Sequence, residues 1–348
     1  MVNSDILRIG VIGAGANTKL RHLPGFQEID GVEVKTVCNR SEPSSRSVAR
    51  EFGIPNTASD WREVITDPEI DAIMIGTWPN LHAAATISGL KAGKHVLTEA
   101  RMALNLKEAE AMLAASLESP RLVAQIVPSP FSLGFDKTIR RMIEAGDLGE
   151  LHELFVEFSN GVFVDPQGPY TWRQDFQKSG VNTLFSGIMH EAVLRWVQSD
   201  PEWVIADGLV GTRARMDPET GEYATVLIPE ALSILARYPQ GFKATYQFSG
   251  LASGVVRSEA RLSGSAGALY LDLAKQELYF SARGSDAYDK VDISAEDKGS
   301  WRVEADFIDS IREGKPVTLT DFESGVRYMR FSQAVWDSWT DGSKKVWL

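Results

Sequence analysis

The residues best suited to chemistry stand in two short stretches. His95 to Leu104 reads HVLTEARMAL, a buried strand running into a turn that carries Glu99, Ala100 and Arg101. Arginine stays charged at any ordinary pH, so Arg101 is a poor proton acceptor but a good partner for a carboxylate or a developing oxyanion. The second stretch, RIGVIGAGANTKLRHL, sets Gly13 and Gly15 straight after an apolar strand and ahead of a helix beginning near Lys19. Glycines at that place let the backbone turn tightly and approach a diphosphate, whose charge meets free N–H groups at a helix start. Gly13, Gly15, Ala16 and Asn17 are therefore the expected diphosphate site. Thr18 takes the third glycine place of G-x-G-x-x-G, and a lone GxG is more often just a turn; here the strand before it and the βαβ rhythm after it favour a cofactor.

In a dinucleotide fold the second strand usually ends in an acid that binds the adenosine 2′-hydroxyl, but TVCNRSE puts Asn39, Arg40 and Ser41 there. A carboxylate repels a 2′-phosphate, whereas Arg40 pairs with one and Ser41 donates to it. NADP is thus expected, with NAD as the alternative; the bland reading of Arg40 is a solvated surface charge.

These residues need elements to position them. Up to about residue 125, β-type runs (LRIGVIG, VEVKTVC, DAIMIGT, HVLT, RLVAQIV) alternate with helical segments near 20–28, 44–52, 83–92 and 106–116, the last capped by Asn105. That rhythm predicts an α/β Rossmann domain, a doubly wound parallel sheet, over residues 1–126. After a helix in FDKTIRRMIEAGDLGEL the pattern changes. LHELFVEF, EWVIADGLV, LSILARY, FKATYQF, EARLSG, ALYLDL and QELYF read as strands, RYPQGFK as a hairpin, and LFSGIMHEAVLRWV as a helix. Residues 127–348 are therefore an expected α+β domain with a large, mostly antiparallel open sheet, closed by helices in VEADFIDSIREG and SGVRYMRFSQAVWDSWTDG that are free to pack back on the first domain.

The bulk composition bounds the partners. A length of 348 residues suits two cores, and 36 basic against 47 acidic residues give a net charge of −11, a poor surface for nucleic acid or anionic membrane. MVNSDILRIG has no secretory pattern and no apolar run spans a bilayer, which predicts a cytoplasmic protein. The single cysteine, Cys38, excludes an internal disulfide and reads as a small core residue; no His and carboxylate set has metal spacing, so no metal is expected.

In order and spacing, GVIGAGANTKLRHL, GTWPNLHAAA, LKAGKHVLTEA, MIEAGDLGEL, YTWRQD and the helix with Met189 and His190 resemble the Gfo/Idh/MocA oxidoreductases over nearly the whole chain. This resemblance implies sugar and polyol dehydrogenase chemistry. It also implies that Thr77, Trp78, Pro79, Asn80 and His82 line the cofactor cleft, that Glu99 and Ala100 sit near the nicotinamide, and that Trp172 and Arg173 match a WR motif contacting cofactor or substrate. The bland alternative for His82 is a helix-start residue bonded to local backbone. Family members usually read Glu-Lys-Pro where this chain has Glu99, Ala100 and Arg101, so the lysine that helps deprotonate the substrate is missing.

The family also places an Asp four residues before a His. Counting forward from Trp172 puts Ser186 and His190 there; counting back from Arg195 and Trp196 puts Phe185 and Met189 there, and the first count is preferred for its His-Glu pair. His190 is then the expected acid/base, exchanging a proton near neutrality, with Arg101 and Glu99 as the other catalytic residues. Glu191 either orients that imidazole or faces solvent. The expected function is hydride transfer between NAD(P) and a sugar-like, polyol or aromatic alcohol, and Trp78 and Trp172 are candidates to stack on a ring. Rival readings are a redox-neutral lyase or hydrolase retaining the cofactor, and a non-catalytic sensor. The open sheet predicts a homodimer or homotetramer.

Overall fold

A computed structural model describes residues 6–348, so the reading of MVNSDILRIG lies partly outside the described residues. The chain forms two compact units. One runs to Pro128 and takes in Arg302–Val326; the other comprises Ser129–Trp301 and Arg327–Leu348. Of the closing helices, Val303–Glu313 belongs to the first unit, whereas Phe322–Thr340 belongs to the second from Arg327 onward.

The first unit holds β1 (Leu7–Ile12), β2 (Val32–Cys38), β3 (Asn56–Thr57), β4 (Ala72–Ile75), β5 (His95–Thr98) and β6 (Ala124–Ile126), all parallel, in the order β3-β2-β1-β4-β5-β6. The short apolar runs form these strands because helices cover both faces; every side chain of AIMI in β4 is buried. The order reverses direction between β1 and β4, which opens a crevice at their carboxyl ends. Helix ends follow local chemistry. Asn105 accepts the Glu108 N–H at 3.0 Å as expected, and Asp60 caps a helix, Trp61–Thr66, that the sequence reading passed over. The helix expected near Lys19 starts earlier: residues 16–27 are helical, with Thr18–His22 wound as a π turn. Pro79 begins the helix Pro79–Lys91, ahead of the expected position, as its fixed φ favours.

The second unit holds β7 (Leu151–Ser159), β8 (Trp203–Leu209), β9 (Ala214–Met216), β10 (Tyr223–Thr225), β11 (Ala231–Arg237), β12 (Lys243–Ser249), β13 (Arg257–Gly264), β14 (Gly267–Asp272), β15 (Glu277–Ala282), β16 (Asp289–Lys290) and β17 (Val346–Trp347). Nine form one sheet in the order β16-β15-β14-β13-β7-β12-β11-β8-β17, while β9 and β10 pair separately. Among the described residues only β7 with β12 is parallel in this sheet, and RYPQGFK is the expected hairpin between β11 and β12. In β11, Leu232, Ile234 and Ala236 face inward while Ser233 and Leu235 face out. A fully buried aliphatic side chain contributes about 1.5–3 kcal/mol, so a one-residue slip that turned this set outward is strongly disfavoured. Met189, Val193 and Trp196 from the helix Ser186–Val197 fill the covered face together with Val156, Tyr246 and Phe248.

Candidate active site

At the carboxyl end of β1 the glycine turn is built by interlock. Gly13 has φ +85°, and a Cβ on it would stand 2.8 Å from the Thr77 nitrogen. Facing it, Gly76 leaves even less room: a Cβ there would stand 2.3 Å from the Gly13 carbonyl oxygen and 2.2 Å from Thr18 Oγ1. The Thr18 hydroxyl donates to that same carbonyl at 3.2 Å. The missing third glycine is explained: Thr18 points into the space left by Gly76 and fastens the turn. Gly15 is exposed and a Cβ on it would meet only the Gly76 oxygen, at 3.7 Å. Among the described residues no acceptor takes the N–H of Gly15, Ala16 or Asn17. An open glycine beside three such donors fits a diphosphate.

The end of β2 carries no acid. Asn39 Oδ1 accepts the Ala14 N–H at 2.6 Å, so this side chain braces the glycine turn, and the exposed Ser41 precedes the helix Glu42–Phe52. Arg40 is exposed with its guanidinium 5.1 Å from the centre of the Trp78 ring, which brings the ends of β2 and β4 together. Cys38 is buried, its thiol pushed up to about 11 by desolvation, as an inert core residue.

Glu99, at the end of β5, is tied into a buried network. His22 donates from Nε2 to Glu99 Oε1 at 3.0 Å and from Nδ1 to Glu304 Oε1; Asn17 donates to Glu99 Oε1, and the Ala100 N–H to Oε2 at 3.1 Å. Burial opposes a charge on His22, but hydrogen bonds and charge from Glu304 and Glu99 outweigh it and raise the imidazole to about 9. Burial likewise opposes the Glu99 charge, yet His22 and Asn17 hold its carboxyl below the usual range. At neutral pH Glu99 is an ionised group with fixed orientation.

His82, expected in the cleft, is instead fully buried. Its Nδ1 lies 2.8 Å from the Arg101 carbonyl oxygen and Nε2 lies 3.1 Å from that of Thr77, so it braces the two turns as the bland alternative foresaw. Desolvation lowers its pKa, and in the neutral ring one nitrogen donates to one of these two carbonyls. Pro79 is buried at the first turn of its helix and Asn80 is exposed. Arg101 is buried, at 7% exposure.

In the second unit Thr171 caps the short turn Trp172–Gln174, and the Arg173 guanidinium lies 4.4 Å from the centre of the Trp172 ring. A buried pair, Arg215 and Glu230, pins this loop. Arg215 donates to the carbonyls of Phe163 and Asp165 at 2.7 Å each, while Glu230 accepts from Gln174 at 2.6 Å and from the N–H groups of Gly211 and Thr212. Such a pair adds little net stability but fixes geometry when every lone pair is used.

His190 departs from the expectation of a near-neutral exchanger. It is fully buried and stacked on Phe331 with centroids 3.7 Å apart, its Nδ1 lies 3.0 Å from the Tyr246 hydroxyl, and among the described residues Nε2 has no hydrogen-bond partner. Desolvation, helped by the charge of Arg327, lowers its pKa to about 3, so the ring is neutral across the physiological range. Glu191 does not face solvent. It is buried, bonded to Arg195, and accepts the Ser129 N–H at 2.6 Å, while Arg195 also donates to Asp136 at 2.8 Å. Ser186, the residue at the family's Asp place, is buried and donates to the Thr183 carbonyl at 2.7 Å.

Sequence reasoning missed His22, Gly76 and Glu304. His22 had a faint signal, one of five histidines standing one turn after Thr18 in the glycine-turn helix. Glu304, 282 residues further on, had none.

Residues 7–125 match an oxidoreductase family described as an NAD-binding Rossmann fold, and residues 137–270 match the GFO/IDH/MocA C-terminal domain. Levoglucosan dehydrogenase from Pseudarthrobacter phenanthrenivorans is 30% identical over 50% of this chain and 45% of its own length. The 4-carboxy-2-hydroxymuconate-6-semialdehyde dehydrogenase of a Sphingobium species is 34% identical over 32% of this chain and 36% of its own. The matches thus span less than half of each of these relatives. A solved levoglucosan dehydrogenase in complex with NADH and levoglucosan has the same fold, with a TM-score of 0.84, 20% identity and 98% of both chains covered.

Proposed function

The chain belongs to the GFO/IDH/MocA oxidoreductase family, and from that premise we propose that it moves a hydride between NADP and a hydroxyl-bearing or carbonyl carbon of a small sugar-like, polyol or aromatic alcohol. The observation that carries this reading is the interlocked turn of Gly13, Thr18 and Gly76, which leaves three backbone N–H groups beside an open glycine. The relatives' names, dehydrogenases of a sugar and of a semialdehyde, support the reaction class.

When bound, the nicotinamide group supplies the hydride acceptor or donor. The chain supplies position and charge. The N–H groups of Gly15, Ala16 and Asn17 would hold the diphosphate, and Glu99, kept ionised by His22 and Asn17, would orient the bound nicotinamide. Arg101 stands in the family's Glu-Lys-Pro corner and stabilises an alkoxide without taking its proton. His190, fully buried with its pKa held at about 3, is too weak a base to take that proton near neutrality.

Arg40 selects the cofactor. Held beside Trp78 and with no acid at the end of β2, it meets a 2′-phosphate as a charge-assisted partner. Substituting Arg40→Ala is expected to weaken NADPH by about 10- to 100-fold and NADH by no more than about 3-fold, read by quenching of protein fluorescence. Equal loss for both would remove the basis for NADP.

The buried state of His190 keeps this ring out of the pH profile. Because its pKa is about 3, kcat/KM for alcohol oxidation is expected to show no limb between about pH 5 and 8. Oxidation of a panel of polyols and aryl alcohols, followed by the absorbance of reduced nicotinamide, tests both points. A limb near 6.5 that disappears in His190→Gln would show that the ring titrates in solution as an ordinary histidine.

A further inference from the structure

The second unit contains a cavity of about 250 Å³ whose chemistry narrows the substrate class. Its walls are Phe158, Phe163, Leu184 and Phe185, with Phe158 and Phe185 packed at 4.2 Å between ring centroids. Its polar side chains are few, and each is partly engaged within the protein. Asn160 Oδ1 accepts the Val162 N–H at 3.1 Å, the Thr171 hydroxyl donates to Gln174 at 3.3 Å, and Ser249 Oγ accepts the Leu251 N–H at 3.1 Å. A polyol, which brings a donor and an acceptor on nearly every carbon, leaves most of them unmatched against such walls.

Arg173 is the exception. It lines the cavity and lies over Trp172, and among the described residues no carboxylate or carbonyl pairs with it. The residue keeps contact with solvent, yet desolvation lowers its pKa, and the guanidinium remains cationic. Among the described residues the lining includes no acid. One unpaired planar cation at the mouth of an aromatic cavity is complementary to a planar apolar body bearing one planar anion.

We propose that this cavity holds a substrate with an aromatic or conjugated body and a carboxylate, and that the carboxylate pairs with Arg173. The proposal rests on the hydride-transfer reading only for the fate of that substrate; the binding itself is testable alone. Calorimetric titration of the full chain with benzoate and with benzyl alcohol, each with and without saturating NADP, provides the test. Benzoate is expected to bind about 10- to 100-fold tighter than benzyl alcohol. Arg173→Gln removes that preference, Arg173→Lys keeps part of it, and Phe185→Ala weakens both probes while the preference remains. Retained NADP affinity in Arg173→Gln shows that the variant is folded.

Benzoate binding no tighter than benzyl alcohol, or a preference that survives Arg173→Gln, overturns the proposal. So does a loss of NADP affinity in Arg173→Gln equal to the loss for benzoate, which assigns the guanidinium to the cofactor. A chain that binds benzoate through Arg173 but neither nicotinamide nucleotide defeats the dehydrogenase reading and leaves the cavity assignment standing.

Discussion

Replacing His22 by alanine is expected to destabilise the first unit by about 3–5 kcal/mol, the loss that follows when one partner leaves a buried ionic cluster. The ring is fully buried, and it is the group that both Glu99 and Glu304 face through its two nitrogens. Remove it and two carboxyl groups, 14% and 5% exposed, are left with fewer donors than their charge needs. They respond by protonating or by admitting water, and either change releases the orientation of Glu99. Thermal or urea unfolding reads the first effect. Weakened NADPH binding with intact secondary structure reads the second.

The same group makes stability fall with rising pH. Its folded pKa of about 9 stands above the ordinary 6.5, so its contribution is complete below about 6.5 and is lost as pH passes through about 9. The loss is on the order of 3 kcal/mol if the shift is carried wholly by folding. Wild-type protein compared at about pH 6 and about pH 9.5 is expected to show that decline, and His22→Ala to show much less of it. A variant as stable as the parent at pH 6, with the same pH slope, would mean that the network is solvated in solution.

What the sequence disclosed follows from the range of the forces involved. Strand and helix rhythm is local, so the parallel sheet, the hairpin at RYPQGFK and the cap at Asn105 were readable from spacing. Side-chain states are not local. His190 sits 141 residues before Phe331, the ring that stacks on it and helps keep it neutral, and Glu304 reaches His22 from the far end of the chain. Glu191 was open to misreading for a different reason: neighbours on a helix normally face different ways, but nearly every residue of Ser186–Val197 is buried. Thr18 read as a defect in the glycine fingerprint because its complement, Gly76, lies just past the end of another strand, 58 residues on, and looks like an ordinary turn residue in GTWPN.

That complement carries the second large effect. Gly76→Ala is expected to weaken NADPH and NADH alike by about 10- to 100-fold. The new methyl has two neighbours, and they yield differently. Thr18 Oγ1, 2.2 Å away, is the end of a side chain and can rotate, at the cost of its hydrogen bond to Gly13. The Gly13 carbonyl, 2.3 Å away, is backbone in a turn with positive φ, so clearing it moves the turn itself by most of an ångström. A displacement of that size spoils the aim of the N–H groups at Gly15, Ala16 and Asn17. The double substitution Gly76→Ala with Thr18→Gly separates the two contacts: it relieves the side-chain clash and leaves the backbone one, so affinity is expected to stay low. If the single variant binds both nucleotides like the parent, the turn has slack that this packing does not allow, and the diphosphate is held elsewhere.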